Sequence, residues 1–135
     1  MAGYSAKPLF EKLGLKTGQK AFIWNAPTTY QAELKPLQSS IDLKTRLKGP
    51  LDFVHFFVAS KGELEEHLPR LKQELEYSGC VWISWPKKSS GVTTDLTENV
   101  VRDIALACGL VDVKVCAVDE TWSGLKLVYR LKDRK

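Results

Sequence analysis

The chain has 135 residues, 44% hydrophobic and 27% charged, with a formal net charge of +4. That length supports one domain over residues 1–135 with a core of its own, in the balance of an ordinary globular chain. No apolar run approaches the ~20 residues of a membrane-spanning helix, and MAGYSAKPLF has no stretch of signal-peptide length, so the expected setting is cytoplasmic.

Residues 1–19 read as a lead-in, with a short helix around Pro8 to Leu13 stopped by Gly14 and a turn at Thr17-Gly18. AFIW (21–24) is a continuous apolar run, as in a strand covered on both faces. Asn25-Ala26-Pro27 follows, and Tyr30 and Leu34 then share a helical face over 28–34, ended by Pro36. Ile41, Leu43, Thr45 and Leu47 alternate with Asp42, Lys44 and Arg46, the pattern of a half-exposed strand at a sheet edge. LDFVHFFV (51–58) reads as a central strand. Ser60-Lys61-Gly62-Glu63 has capping-box spacing for a helix through Tyr77, striped by Leu64, Leu68, Leu71 and Leu75. Pro69 falls inside it and is expected to kink or break it, since it has no N–H for the preceding turn.

Gly79 would close that helix before CVWISW (80–85), a second central strand. Asp95-Leu96-Thr97-Glu98 opens a helix through Cys108, with Val100, Ile104 and Leu106 or Ala107 inward and Gly109 at its end. Val111, Val113, Val115 and Ala117 alternate as a strand, residues 119–124 turn, and LKLVYRL (125–131) returns. The order is β-α-β-β-α-β-α-β-β, an open α/β sheet of about six strands, mostly parallel, with an antiparallel hairpin last. Ligands of such sheets bind outside the carboxyl ends of the strands, where strand order reverses.

Those ends gather the chemistry. Pro86-Lys87-Lys88-Ser89-Ser90-Gly91 sets two cations and two hydroxyls before a glycine, suited to an anionic group, and equally suited to a solvated connector. Its glycine-lysine order is not that of a P-loop. Trp24, Trp85 and Trp122 stand at strand ends or in the hairpin turn, either around one crevice or capping the core. Asp119 and Glu120 could do acid–base work, or could serve as turn residues, with Asp119 bonding its own loop. His55, inside an apolar strand, reads as a hydrogen-bonded core histidine, and Ser60 is a helix cap. The three cysteines, Cys80, Cys108 and Cys116, have no CxxC spacing and read as buried thiols, and no metal site is expected. The basic residues Lys126, Arg130, Lys132, Arg134 and Lys135 form a solvated tail over 132–135 and the strand before it, rather than a nucleic-acid stripe.

GPLDFVHFFV, WISWPKKSSGVTTDLTENVVRDIAL and GLVDVKVCAVDETWSGLK resemble a family of small bacterial proteins known only as a domain of unknown function. More distantly the order of elements is similar to a shortened class I S-adenosylmethionine-dependent methyltransferase, a Rossmann-like three-layer fold. The resemblance implies a glycine loop after the first strand and a ribose-binding acid at the end of the second. Here the first strand ends in Asn25-Ala26-Pro27, with no glycine from Gln19 to Lys48, and the second ends in Arg46-Leu47-Lys48. The strand and helix that would follow are missing, since Lys48-Gly49-Pro50 leads straight into the central strand. Glycines let backbone N–H groups approach a cofactor, and proline supplies no N–H. The expectation is therefore no bound cofactor and a non-catalytic binding module. It would take a small anionic ligand or a protein partner through Trp24, Asn25, Trp85, Lys87, Lys88, Ser89, Ser90, Asp119, Glu120 and Trp122. The alternative is an atypical group transferase using S-adenosylmethionine.

Overall fold

The computed structural model describes residues 9–134. The start of the first helix expected at Pro8, the rest of the lead-in before it, and Lys135 of the tail lie outside the described residues. Among the described residues there are four α-helices, α1 (Leu9–Leu13), α2 (Thr28–Leu34), α3 (Lys61–Gln73) and α4 (Glu98–Cys108). The strands are β1 (Lys20–Trp24), β2 (Asp42–Lys44), β3 (Leu51–Phe57), β4 (Leu75–Pro86), β5 (Leu110–Ala117) and β6 (Trp122–Tyr129). They form one sheet in the order β2-β1-β3-β4-β6-β5. The first four pair in parallel, and β6 is antiparallel to both β4 and β5. The chain moves outward from β1 to β2, then crosses back to place β3 on the other side of β1. The carboxyl ends of β1 and β3 thus flank the point of reversal where open α/β sheets bind ligands.

Strand alternation sorts the apolar side chains into two layers. On one face Val54 and Phe56 of β3, Val81, Ile83 and Trp85 of β4, and Leu125 and Leu127 of β6 meet Leu64, Leu68 and Leu71 of α3 and Val101 and Ala105 of α4. On the other, Phe53, Phe57, Cys80 and Trp82 meet Phe10 and Leu13 of α1 and Tyr30 and Leu34 of α2. Helices on both faces of a mixed sheet make a three-layer α/β domain. Burying each of the α3 leucines is worth about 1.5–3 kcal/mol, enough to hold the helix although Pro69 withholds one backbone hydrogen bond. The helix accordingly runs through Pro69 without a break, with the proline ring exposed.

Several expected boundaries move, among them the end of the second strand, which comes at Lys44 rather than in Arg46-Leu47-Lys48. The α3 helix stops at Gln73 rather than Tyr77, and Leu75 is a strand residue paired with Leu51. The reason lies in Glu74: its carbonyl accepts from Leu51 N (2.9 Å) and its carboxylate from Gly49 N (2.6 Å), so the helix end is tied to the start of β3. Gly79 does not close the helix. It lies within β4, where an added Cβ would sit 2.9 Å from the Asp52 carbonyl. The cap of α4 is Thr97, whose hydroxyl accepts from Val100 N, not Asp95. Leu106 is 49% exposed and Ala107 is exposed, while Val101 and Ala105 face the core. In β5 a bulge between Asp112 and Lys114 shifts the register and leaves Val113 and Val115 exposed. Finally, β6 begins at Trp122, so the hairpin turn is shorter than expected.

Candidate functional site

At the carboxyl end of β1 the chain turns at Asn25, the one described non-glycine residue in the left-handed region (φ 61°). Asparagine tolerates that region, so the corner forms without glycine but keeps a side chain over the crevice. Pro27 precedes α2 with no side-chain cap, its carbonyl accepts from Gln31 N, and Gln31 Nε2 donates to Ala26 O (2.9 Å). These bonds satisfy the Ala26 and Pro27 carbonyls, and Pro27 itself brings no N–H to the corner. Beside it a cavity of about 320 Å³ carries Asn25, Gln31, Gln38 and Lys44 over Ile23 and Leu43. Lys44 ends β2 and holds Asp42 at 2.9 Å, so the strand end that would offer a carboxylate acceptor carries a cation.

Two strands away, Lys87 N donates to Thr121 O (2.7 Å), tying the segment after β4 to the β5–β6 turn. Ser90 Oγ donates to Lys87 O and accepts from Val92 N, and Gly91 supplies the left-handed turn (φ 78°). Farther on, Thr94 Oγ1 donates to Ala59 O (2.5 Å) and Asp95 Oδ1 accepts from Lys61 N (2.7 Å). The loop is thus latched at both ends, with Lys87 half-buried and Lys88 and Ser89 exposed. Asp95 caps α3 from a different part of the chain and occupies the position where a ligand anion would meet that helix.

Asp119 Oδ1 accepts from both Thr121 N and Trp122 N at 2.8 Å, bonding its own turn, while Glu120 is exposed. Both border a hollow of about 330 Å³ with Glu33, Thr29 and Tyr30. The three tryptophans do not share a crevice. Trp24 stacks on Phe56 (centroids 4.5 Å apart) and lies near His67 (4.7 Å), and Trp85, 5% exposed, packs in the same layer. Trp122 lies across the sheet, edge-on to Phe57.

Behind Tyr30 is a polar group that the sequence reading met only at His55. His55 Nδ1 is 2.9 Å from Tyr30 Oη and its Nε2 is 2.7 Å from Ser84 Oγ. Both His55 and Ser84 are fully buried, and His55 stacks on Phe57 at 4.2 Å. Ser84 is the one polar residue in CVWISW and His55 the one histidine in LDFVHFFV, which was the available signal that two adjacent strands share a buried hydrogen bond. Burial holds the imidazole down to a pKa of about 3 and pushes the Tyr30 phenol well above its usual value, helped by Cys80. A serine beside a histidine suggests a nucleophile and base, but a sealed imidazole that stays neutral and has no carboxylate partner is a structural group. Burial likewise raises the Cys80 thiol to about 11, giving it little thiolate character. Among the described residues no cluster of histidine, cysteine and carboxylate could hold a metal, and no helix is long and apolar enough to cross a membrane.

Known structures share this architecture. The chain is 12% identical to the magnesium protoporphyrin IX methyltransferase from Synechocystis PCC 6803, solved with SAH, over 87% of this chain and 76% of that one (TM-score 0.62). It is 11% identical to the precorrin-6y C5,15-methyltransferase from Geobacter metallireducens GS-15, over 90% and 86% (TM-score 0.56). It is 12% identical to a SAM dependent methyltransferase from Aquifex aeolicus, over 88% and 86% (TM-score 0.56). At such identities the likeness is one of fold. No curated protein matches by sequence. The signature of one family spans residues 47–131, from the end of the second-strand region through the last strand, and the chain belongs to that family, described as "Protein of unknown function (DUF3052)".

Proposed function

We propose that the protein is a non-catalytic binding module on a methyltransferase-like fold, taking a small anionic ligand at the carboxyl ends of its strands. One observation carries the reading, the inverted polarity of that edge. The corner after β1 is Asn25-Ala26-Pro27 and β2 ends in Lys44. A methyl donor there would find neither the backbone cradle nor the carboxylate that accepts from ribose hydroxyls. An anion would instead meet donors: the Asn25 amide on one side and Lys87, Lys88 and Ser89 on the other. With one strand between them, β1 and β4 run about 10 Å apart, and a nucleotide-sized ligand could span their ends.

The test is thermal denaturation against S-adenosylmethionine, S-adenosylhomocysteine and a panel of nucleotides and phosphorylated metabolites. A ligand selective for the native state must raise the melting temperature by mass action. The expected result is a shift with a phosphorylated ligand, reduced in Lys87→Ala with Lys88→Ala, and none with S-adenosylmethionine. A shift with S-adenosylmethionine would favour an atypical transferase instead, the reading to which the fold likeness lends support.

A further inference from the structure

We propose that the open edge of the sheet carries a second, separate anion site, a cationic groove that takes a compact oligophosphate. Lys44 is the register partner of Phe22, and Lys20 lies two residues before Phe22 on the same strand. Alternation therefore puts Lys20, Phe22 and Lys44 on one face, the face that α3 covers farther in. Beyond β2 the chain reaches β3 through residues 45–50 with no helix, so that layer has no element over the edge strand. Leu47 fills part of the space by packing into the core. What remains is a groove of about 280 Å³ lined by Lys20, Lys44, Thr45, Arg46 and Lys48 beside Gly49-Pro50.

The cations there outnumber their partners. Asp42 is paired with Lys44 (2.9 Å). Asp52 accepts from the Lys20 backbone N–H (2.9 Å), and Glu74 accepts from Gly49 N and lies 3.6 Å from Arg70 Nε. Among the described residues no ion pair engages Lys20, Arg46 or Lys48, which leaves three positive charges around one concavity. Lysine and arginine offer donors alone, and Thr45 adds a hydroxyl, so the lining asks for a multivalent acceptor. The backbone that carries them is pinned: Arg70 Nη2 donates to Leu47 O (3.1 Å), Lys48 N to Arg46 O (2.9 Å) and Leu51 N to Glu74 O (2.9 Å). Such preorganisation lowers the cost of closing on a ligand. The volume, near the lower bound of about 300 Å³ for ligand pockets, suits a few phosphate groups rather than an extended strand of nucleic acid. Lys20, Gly49 and Pro50 set the groove at the start of β1 and of β3, away from Asn25 and Lys87; Lys44 at its rim also borders the cavity beside Asn25, so the two readings are separated by Arg46 and Lys48 on one side and Lys87 and Lys88 on the other.

The test is titration calorimetry with inorganic triphosphate and pyrophosphate at low ionic strength, on the full chain and on two double variants. Arg46→Gln with Lys48→Gln removes two exposed cations of the groove, and Lys87→Ala with Lys88→Ala removes the pair at the other edge; an unchanged melting temperature without ligand certifies the fold of each. The expected result is saturable binding of triphosphate in the groove that the first pair of changes weakens about tenfold and that persists in the second, which removes only what binds at the carboxyl edge. Absence of heat and of thermal stabilisation at millimolar triphosphate would overturn the proposal, as would undiminished binding in the Arg46/Lys48 variant. Loss of binding only in the Lys87/Lys88 variant would move the anion to the carboxyl edge and leave the earlier reading standing. Tighter binding of a single-stranded oligonucleotide than of triphosphate would make this a nucleic-acid surface and also overturn it.

Discussion

Acid should destabilise this protein through His55. The imidazole is fully buried, with a hydroxyl against each nitrogen. A neutral ring has one N–H and one lone pair, so one of the two hydroxyls donates to it and the other accepts. Protonation makes both nitrogens donors, turns one hydroxyl hydrogen away from its acceptor and places a charge in an apolar layer. Folding lowers the pKa from 6.5 to about 3 by desolvation. Between those values the unfolded chain binds a proton that the folded chain refuses. The stability is complete above the unfolded value and is lost as pH falls toward the folded one.

The full separation corresponds to about 5 kcal/mol, and the part lost between pH 7 and pH 4.5 is about 2.5 kcal/mol, a large share of the ~5–15 kcal/mol that holds a domain together. Urea unfolding at a series of pH values, for the natural chain and for His55→Gln, isolates this group from the carboxylates that titrate in both. The natural chain should lose about 2.5 kcal/mol more than the variant over that interval. If the variant cannot be purified folded, the natural chain suffices: the ring resonances of His55 in NMR spectra should stay fixed from neutral pH to pH 4.5. A ring that titrates near 6, or equal acid sensitivity in both proteins, would refute the reasoning.

Gly124→Ala should cost about 1–3 kcal/mol by overpacking, measurable by urea denaturation, because the new methyl would lie 3.1 Å from Trp82 Cε3 and 3.3 Å from Ser84 Oγ. Trp82 cannot easily yield, since its Nε1 donates to Leu13 O (2.8 Å) inside the core. Asp119→Ala should cost about 1–2 kcal/mol in the same assay, as two turn N–H groups lose their acceptor. Lys87→Ala with Lys88→Ala should change stability by no more than about 0.5 kcal/mol, because the tie to Thr121 is made by the backbone. A larger loss would make that loop a structural element.

The sequence made the layers legible where one signal dominated. Continuous apolar runs marked β1, β3 and β4, the Ser60 cap and a leucine stripe marked α3, Val100, Ile104 and the closing Gly109 marked α4, and the reversed last strand followed from two strands joined by a turn. Its failures are local rules overruled by distant contacts. Leu75 continues the α3 stripe, yet Glu74 is bonded to Gly49 and Leu51, about 25 residues earlier in the chain, and pairing with β3 wins. Asp95 has the look of a cap for its own helix and instead caps α3. The valines of β5 alternate correctly, but a bulge, invisible to periodicity, turns Val113 and Val115 outward. At the candidate site the residue types were legible and their grouping was not. Which face of the sheet a tryptophan takes depends on register, so Trp122 could not be separated from Trp24 and Trp85 by its place near a strand end.

Register and capping together underlie the ligand class proposed above. A nucleotide-type sheet ordinarily meets anions with backbone N–H groups at a corner or a helix start. Here Pro27 has none to offer, and the N–H of Lys61 at the start of α3 is taken by the chain's own Asp95. On the reading proposed above, with these two donors missing or engaged, an anion at the edge would rely largely on long cationic side chains. Ammonium and guanidinium groups on exposed stems are flexible and screened by salt, which makes affinity steep in ionic strength and tolerant of ligand shape. That is the behaviour the proposed binding role calls for. A catalyst needs its reacting groups held in fixed geometry, and the hydrogen-bonded trio Tyr30–His55–Ser84 is packed inside the core, away from the strand ends.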